Sequence, residues 1–305
     1  MQLNLKHGWG SAQVITPLVV GFLTLAVFVL YEYKYAAFPV VAFPLLKNRT
    51  FACAIAAATL FFFTTNVSLF YFNPFLQVTR DVSAHTAMLL QLGTVGYNIG
   101  LFFGGWAMQF SKRYRRWAWL GWALVLLAVC LMLLARGSGT SNAAIAVVQA
   151  IYGIGGGIIV GCLGIGVQAA VSRDDLSIAI TLYSMVEYIG GVLGEGASTT
   201  IWVNVLPTKL QGKMDDSVDI FSAINNITYY QGLPEDQRVI VKDGYIQTQR
   251  ILTICGICSI LLTGVAMLGL APSDFSANAA QPKIDTEIEE PNDNHSRPPK
   301  ENLSA

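Results

Sequence analysis

Charge is what this sequence has least of. Aspartate, glutamate, lysine and arginine together make up 12% of its 305 residues, against about a quarter in an average soluble domain. So little charge does not suffice to solvate a fold of this size, and a mean hydropathy of +0.51 places the chain in a bilayer. The cations do not gather into a basic face with interleaved aromatics, which excludes nucleic acid as a partner. Histidine is rarer still: His7, His85 and His295 are scattered, so no metal cluster is expected. Five cysteines (Cys53, Cys130, Cys162, Cys255, Cys258) fall within apolar runs and read as small hydrophobes, not a disulfide framework. Cys255-x-x-Cys258 has metal-site spacing but neither a second pair nor a histidine to complete it. No Ser/His/Asp or Cys/His arrangement assembles an active site, so neither an enzyme nor a cofactor is expected.

Apolar runs of membrane-crossing length are abundant. Residues 1–13 have no Lys/Arg-led leader with a small-residue cleavage site, and 14–30 reads as a retained helix. Further spans are expected at 51–77, 86–110, 117–134, 143–171, 178–207 and 251–270. The fold class is thus all-α, a polytopic membrane protein of about seven transmembrane helices. Three regions follow: a first helix with its Pro-containing link (1–50), a six-helix domain (51–271) with a long loop at 203–248, and a polar tail (272–305) expected to be disordered.

Short-loop cations set the orientation. With links on alternating sides, one side receives Lys34, Lys47, Arg49, Lys112, Arg113, Arg115, Arg116 and Arg173, the other only Lys6, Arg80 and Arg136. The first side is expected in the cytoplasm, together with the tail, and the long loop outside.

The 178–207 stretch carries two carboxylates, Glu187 and Glu195, inside a run long enough to span a bilayer. At helical periodicity Tyr183, Ser184, Glu187, Gly190, Gly191, Gly194, Glu195 and Ser198 share one stripe, while Leu182, Met185, Val186, Ile189, Val192 and Leu193 take the other faces. A small and acidic stripe on an apolar helix suits a helix lining a protein cavity, since carboxylates are expensive in hydrocarbon. Either glutamate alone could equally be a helix-end or packing residue. The 143–171 run has seven glycines between Gly153 and Gly166. Gly164-x-Gly166-x-x-Ala169 nominally matches a dinucleotide fingerprint, but it lies inside an apolar helix instead of a strand-to-helix turn, and is rejected. These glycines suit close helix packing and small bends.

Uncharged polar residues at membrane depth are the remaining candidates: Asn66, Tyr71 and Asn73, then Gln91, Tyr97 and Asn98, then Gln149, Tyr152 and Gln168. Each could bond a neutral, oxygen-rich ligand or a neighbouring helix. The SKRYRR link (111–116) most simply anchors a membrane interface. In transporters such a segment can form a charge latch, for which Lys112, Arg113, Arg115 and Arg116 would pair with Asp174 and Asp175. Asn226-Ile227-Thr228 in the long loop is a glycosylation sequon on the expected outer side.

The order and spacing of YFNPFLQVTRDVSAHTA, MLLARGSG, QAIYGIGGG, VQAAVSRDDLS, YIGGVLGEGASTTIWVNVLPTKL and KDGYIQTQRIL resemble the fungal siderophore–iron transporters, fourteen-helix members of the major facilitator superfamily. The resemblance covers nearly all of residues 8–270, and WGSAQVITPLVVGFLTLAVFVLYEYKYAAFP resembles the family's bridging helix. It implies proton-coupled uptake of a ferric siderophore across a plasma or endosomal vesicle membrane. It also implies that the chain supplies the C-terminal half alone, from a truncated product or with an N-terminal half as partner. Asn66, Tyr71, Asn73, Gln91, Asn98, Gln149 and Tyr152 would contact substrate. Tyr245 would join them, since it falls on the Ala-Tyr-like motif of an external loop that the family uses in recognition. Proton coupling would rest on Glu187, the one acid well inside a span of this half. Glu195 stands where the family usually has a small residue, which weakens both glutamates as inherited carriers. Rival readings are a drug–proton or glutathione–proton antiporter, and a non-transporting membrane protein that pairs with a full transporter.

Overall fold

The computed structural model describes residues 12–35, 43–111, 113–135, 140–215 and 218–271. They are helical, with no strand among them, and seven spans are long and apolar enough to cross a membrane. The tail expected at 272–305 and the 36–42 part of the first link lie outside the described residues.

The first helix, α1 (Ala12–Lys34), is apolar on all sides and almost entirely exposed, with Leu18, Phe22, Leu23 and Val27 facing outward. A short α2 (Phe43–Leu46) leads to α3 (Arg49–Leu69), whose start is capped by Asn48: its Oδ1 accepts from the Thr50 and Phe51 amides. What reads as one run over 51–77 is two helices, since α4 (Phe72–Arg80) begins after a break at Phe70–Tyr71. Pro74 accounts for it, because its ring would clash with the carbonyl four residues back, that of Phe70. The next span also divides, into α5 (Ala84–Leu90) and α6 (Gly93–Ser111).

Four long helices complete the bundle: α7 (Tyr114–Ala135), α8 (Asn142–Ala169), α9 (Leu176–Leu210) and α12 (Glu235–Leu268). Between α9 and α12 lie only α10 (Ile220–Asn225) and α11 (Ile227–Gln231). The connection therefore spans 211–234, much shorter than the 203–248 loop expected from hydropathy. Polar residues do not end α12: Gln237, Val241, Gly244, Tyr245, Thr248, Gln249 and Leu252 form one buried stripe at helical spacing. That stripe packs on α9, where a Cβ on Gly244 would meet Leu210 at 2.8 Å.

Glycine sets how the bundle closes. Gly96 and Gly100 of α6 face the α8 backbone, and Gly153 and Gly157 of α8 face the α6 backbone. A Cβ on Gly96 would sit 2.5 Å from the Ala150 carbonyl oxygen, and Gly121 and Gly155 bring α7 equally close to α8. α12 is stitched on by side-chain bonds: Gln249 Nε2 donates to the Ser68 carbonyl (2.8 Å) and Ser259 Oγ to the Leu60 carbonyl (3.0 Å) of α3. Trp122 of α7 donates Nε1 to the Ile260 carbonyl (2.7 Å).

The bundle ends sort as alternating links require. At one end Asn48 Nδ2 donates to the Ala170 carbonyl (2.8 Å) and the Tyr114 hydroxyl to the Ala271 carbonyl (2.6 Å). At the other the Tyr230 hydroxyl donates to the Val78 carbonyl (3.0 Å), and Asp81 is held by Arg238 (2.7 Å) and Lys242. Arg80 also reaches the Thr140 carbonyl there.

Candidate functional site

The break between α5 and α6 leaves a recess between α3, α6 and α8. It is a cavity of about 240 Å³ whose polar lining is Thr65, Gln91, Thr94, Tyr97, Gln149 and Tyr152, with Phe61, Phe62 and Leu69 as apolar wall. Tyr152 is held from two sides: its hydroxyl shares a 2.8 Å hydrogen bond with Thr65 Oγ1, and its ring stacks on Phe61. Glycine shapes the walls, because a Cβ on Gly93 would come within 3.1 Å of Gln149 Oε1 and one on Gly156 within 2.7 Å of the Phe61 ring. Gln149 is 2% exposed, yet its Nε2 has no hydrogen-bond partner. A buried amide donor left without an acceptor costs about 1–3 kcal/mol, so an oxygen acceptor in the recess is the ligand chemistry it fits.

Of the residues singled out from sequence, Gln91, Tyr97, Gln149 and Tyr152 meet in this cavity. Asn66 does not join them; its Nδ2 donates to the Phe62 carbonyl (3.0 Å), and it faces Gly191 of α9. Asn73 accepts from Gln77 (2.6 Å), and Asn98 is exposed with Nδ2 bonded to the Thr94 carbonyl (2.9 Å). Tyr71 lies instead in a second recess of about 300 Å³, lined also by Trp202, Val203, Pro207, Gln211, Phe221 and Asn225. Its ring stacks on Trp202 at 4.5 Å, and its hydroxyl donates to Thr199 (3.3 Å). Tyr245 is buried behind that recess, edge-on to Trp202, with its hydroxyl committed to the Ile224 carbonyl (2.9 Å). Its hydroxyl proton is spent on α10, and its side chain is not among those lining the recess. Thr65, Thr94 and Trp202 are the site residues that sequence reading missed. Thr65 was findable, standing in an apolar run beside the chosen Asn66; Trp202 gave no signal beyond its apolarity.

The small-residue stripe of α9 divides. Gly190 and Gly194 press on the α3 backbone at Thr59 and Phe63, so this part of the stripe packs against a helix. Small residues serve both purposes, and only the neighbour's position separates them. Glu187 sits at the edge of that contact, half-buried, with Oε1 enclosed and lacking a hydrogen-bond partner. One turn earlier on α9, the buried Tyr183 donates its hydroxyl to the Val160 carbonyl of α8 (3.3 Å). Glu195 is also half-buried.

The latch expected at the Arg-rich end is not formed by Arg115 or Arg116, neither of which lies within ion-pair distance of Asp174 or Asp175. Asp175 instead accepts from Ser172 Oγ (2.7 Å), and Lys112 lies outside the described residues. Asn226 is exposed and caps α11, its Oδ1 accepting from the Thr228 and Tyr229 amides. Among the described residues no group of three His, Cys, Asp or Glu side chains could hold a metal. The five cysteines are free thiols.

No protein-family model matches the chain. Individual proteins do. The chain is 29% identical over 94% of its length to MFS siderochrome iron transporter C of Aspergillus fumigatus, and 29% identical over 92% to siderophore iron transporter 1 of Schizosaccharomyces pombe. It is 28% identical over 85% to siderophore iron transporter mirC of Emericella nidulans. The match takes in 47%, 46% and 44% of those proteins, so the chain spans about half the length of the curated relatives it matches. Over nearly all of its own length, this all-α membrane chain is similar to fungal siderophore–iron transporters of the major facilitator superfamily.

Proposed function

We propose that the chain forms the C-terminal half of a transporter that carries ferric siderophores across a plasma or endosomal vesicle membrane, driven by protons. The observation that carries this reading is the buried, unpartnered Gln149 amide, set beside Tyr152, Thr65, Gln91 and Tyr97 in one recess of the bundle. Siderophores present carbonyl and hydroxamate-like oxygens, which are acceptors for that amide and for phenol and hydroxyl donors. At about 240 Å³ the recess holds one arm of such a ligand, and a second half of the protein would close over the rest. The Arg-rich end faces the cytoplasm by its excess of short-link cations, and Asn226 is a glycan acceptor at the opposite end. Glu187 is the proton carrier, since it is the acid well inside a span of this half and its enclosed Oε1 has no hydrogen-bond partner.

The test is uptake of radiolabelled ferric siderophores by cells lacking their own siderophore transporters. The chain is expressed there together with the N-terminal half of a relative. Uptake that follows the proton gradient is expected, and Glu187→Gln should abolish it at unchanged surface level. Efflux of drugs or glutathione without siderophore uptake contradicts the function. Normal pH-dependent uptake by the Glu187→Gln protein removes Glu187 from the mechanism.

A further inference from the structure

The chain leaves the bundle in the middle of its cationic end. Ala271, the last described residue, is held from two sides. Its amide donates to Thr50 Oγ1 of α3 (3.4 Å), and its carbonyl accepts from the Tyr114 hydroxyl of α7 (2.6 Å). The end of α8 comes to the same point, since Asn48 Nδ2 donates to the Ala170 carbonyl (2.8 Å) and a Cβ on Gly166 would meet the Tyr114 ring at 2.9 Å. Around this exit stand Lys47 and Arg49 beside Asn48, Arg115 and Arg116 after Tyr114, and Arg173 just beyond Ala170. Four of these cations are exposed and Arg115 is half-buried. Among the described residues, no carboxylate lies within ion-pair distance of any of the five. Asp174 therefore pairs with none of them, and Asp175 accepts from Ser172 Oγ (2.7 Å). The charge latch expected from the links has its basic side in place and no acidic side.

Acids in number follow in the sequence. Asp285, Glu287, Glu289, Glu290 and Asp293 fall within nine residues with no cation among them, and the first is fourteen residues past Ala271. We propose that this acidic run docks on the cationic end of the bundle and completes the latch, its carboxylates on Lys47, Arg49, Arg116 and Arg173. Fourteen residues span at most about 50 Å, and packed helices stand about 8–10 Å apart, so each of these cations is within reach. Charge complementarity and tethering choose the occupant. A segment anchored at Ala271 meets the site at an effective concentration in roughly the millimolar range. A single exposed ion pair is weak, worth up to about fivefold in an equilibrium, but several held on one tether act together. Docked there, the run ties together the link before α3, the α6–α7 link and the α8–α9 link. The site is separate from the α3/α6/α8 recess and stands whether or not the chain carries siderophores.

The experiment puts a benzophenone photo-cross-linker in place of Ile288 in the whole chain, held in phosphatidylcholine vesicles, and maps the cross-linked peptides by mass spectrometry. Cross-links to 45–50, 114–117 and 170–175 are expected, and about 0.5 M salt should suppress them by screening. Arg116→Gln/Arg173→Gln lowers their yield about tenfold, the loss of two exposed pairs. Lys209→Gln/Lys213→Gln, at the opposite end of the bundle, leaves it unchanged. Glu287→Lys/Glu289→Lys abolishes the cross-links, and adding Arg116→Glu/Arg173→Glu to that protein restores them, a recovery that misfolding could not produce. Cross-links that are absent, that fall on 211–234, that survive both salt and the glutamine variant, or that the charge swap fails to restore overturn the proposal. So does their loss in vesicles containing phosphatidylinositol phosphate, which would give the cationic end to a lipid headgroup.

Discussion

Gln149 is the residue on which the functional reading turns, because the fold gives its amide nothing to do. A buried donor without an acceptor is destabilising, so removing it should separate function from stability. Gln149→Leu is expected to leave the melting temperature unchanged or to raise it, while siderophore transport falls at least about tenfold through loss of one ligand hydrogen bond. A fluorescence melt and an uptake assay on the same preparation check both; a lowered melting temperature with normal uptake would make Gln149 a structural residue. Polar residues inside apolar runs were legible in the sequence as candidates, yet of these Gln91, Tyr97, Gln149 and Tyr152 alone line the recess. The others were taken by bonds that sequence does not display. Asn66 and Asn98 bond the carbonyl four residues back on their own helices, and Tyr245 spends its hydroxyl on Ile224. An amide in an apolar run looks the same whether its partner is a neighbouring turn or a ligand.

At the scale of elements, the seven spans were legible from hydropathy and their ends were not. Hydropathy reports where lipid begins, whereas a helix stops where capping and packing stop supporting it. For α12 the buried stripe from Gln237 to Leu252 carries the helix back to Glu235, about four turns before the apolar run begins, and that helical spacing is present in the sequence. The α6–α8 contact depends on glycines whose Cβ would overlap a facing backbone. Gly157→Val is therefore expected to destabilise the protein by about 1–3 kcal/mol or more through overpacking. Gly105→Ala, with open space around it, should be neutral or stabilising by up to about 1 kcal/mol. Thermal denaturation in detergent compares the two; equal effects would show that the α6–α8 approach is not what these glycines secure.

The end of the bundle that carries α10 and α11 is held by Asp81, a left-handed residue (φ 50°) paired with Arg238 and Lys242. Burial pushes its carboxyl pKa up, but the hydrogen bonds and charges of Lys242 and Arg238 outweigh that and hold it below the ordinary carboxylate value. The clamp thus adds stability above the carboxyl's unfolded-state pKa and loses it only as pH falls through the lower folded value. Proteolysis of the 211–234 connection should stay slow from neutral pH down to the ordinary carboxylate range. In Asp81→Asn it should be fast throughout. A cleavage rate that climbs between neutral and mildly acidic pH in the unaltered protein would contradict this.

At the scale of the whole molecule, the proposed function requires that the α3/α6/α8 recess receive the siderophore. Membrane class and the resemblance to siderophore–iron transporters were legible in the sequence because both rest on patterns spread over the entire chain. The recess was not, because it exists only where a break at Gln91–Leu92, a glycine face and a stacked Tyr152 come together. The most direct measurement is site-specific thiol protection. Thr94→Cys on the rim and Asn98→Cys one turn further along α6 are labelled with a maleimide at increasing ferric siderophore, in membranes holding the chain and its complementary half. Siderophore is expected to slow labelling of Thr94→Cys and to leave Asn98→Cys unaffected. Unchanged labelling of Thr94→Cys at siderophore concentrations that saturate uptake would place the substrate elsewhere.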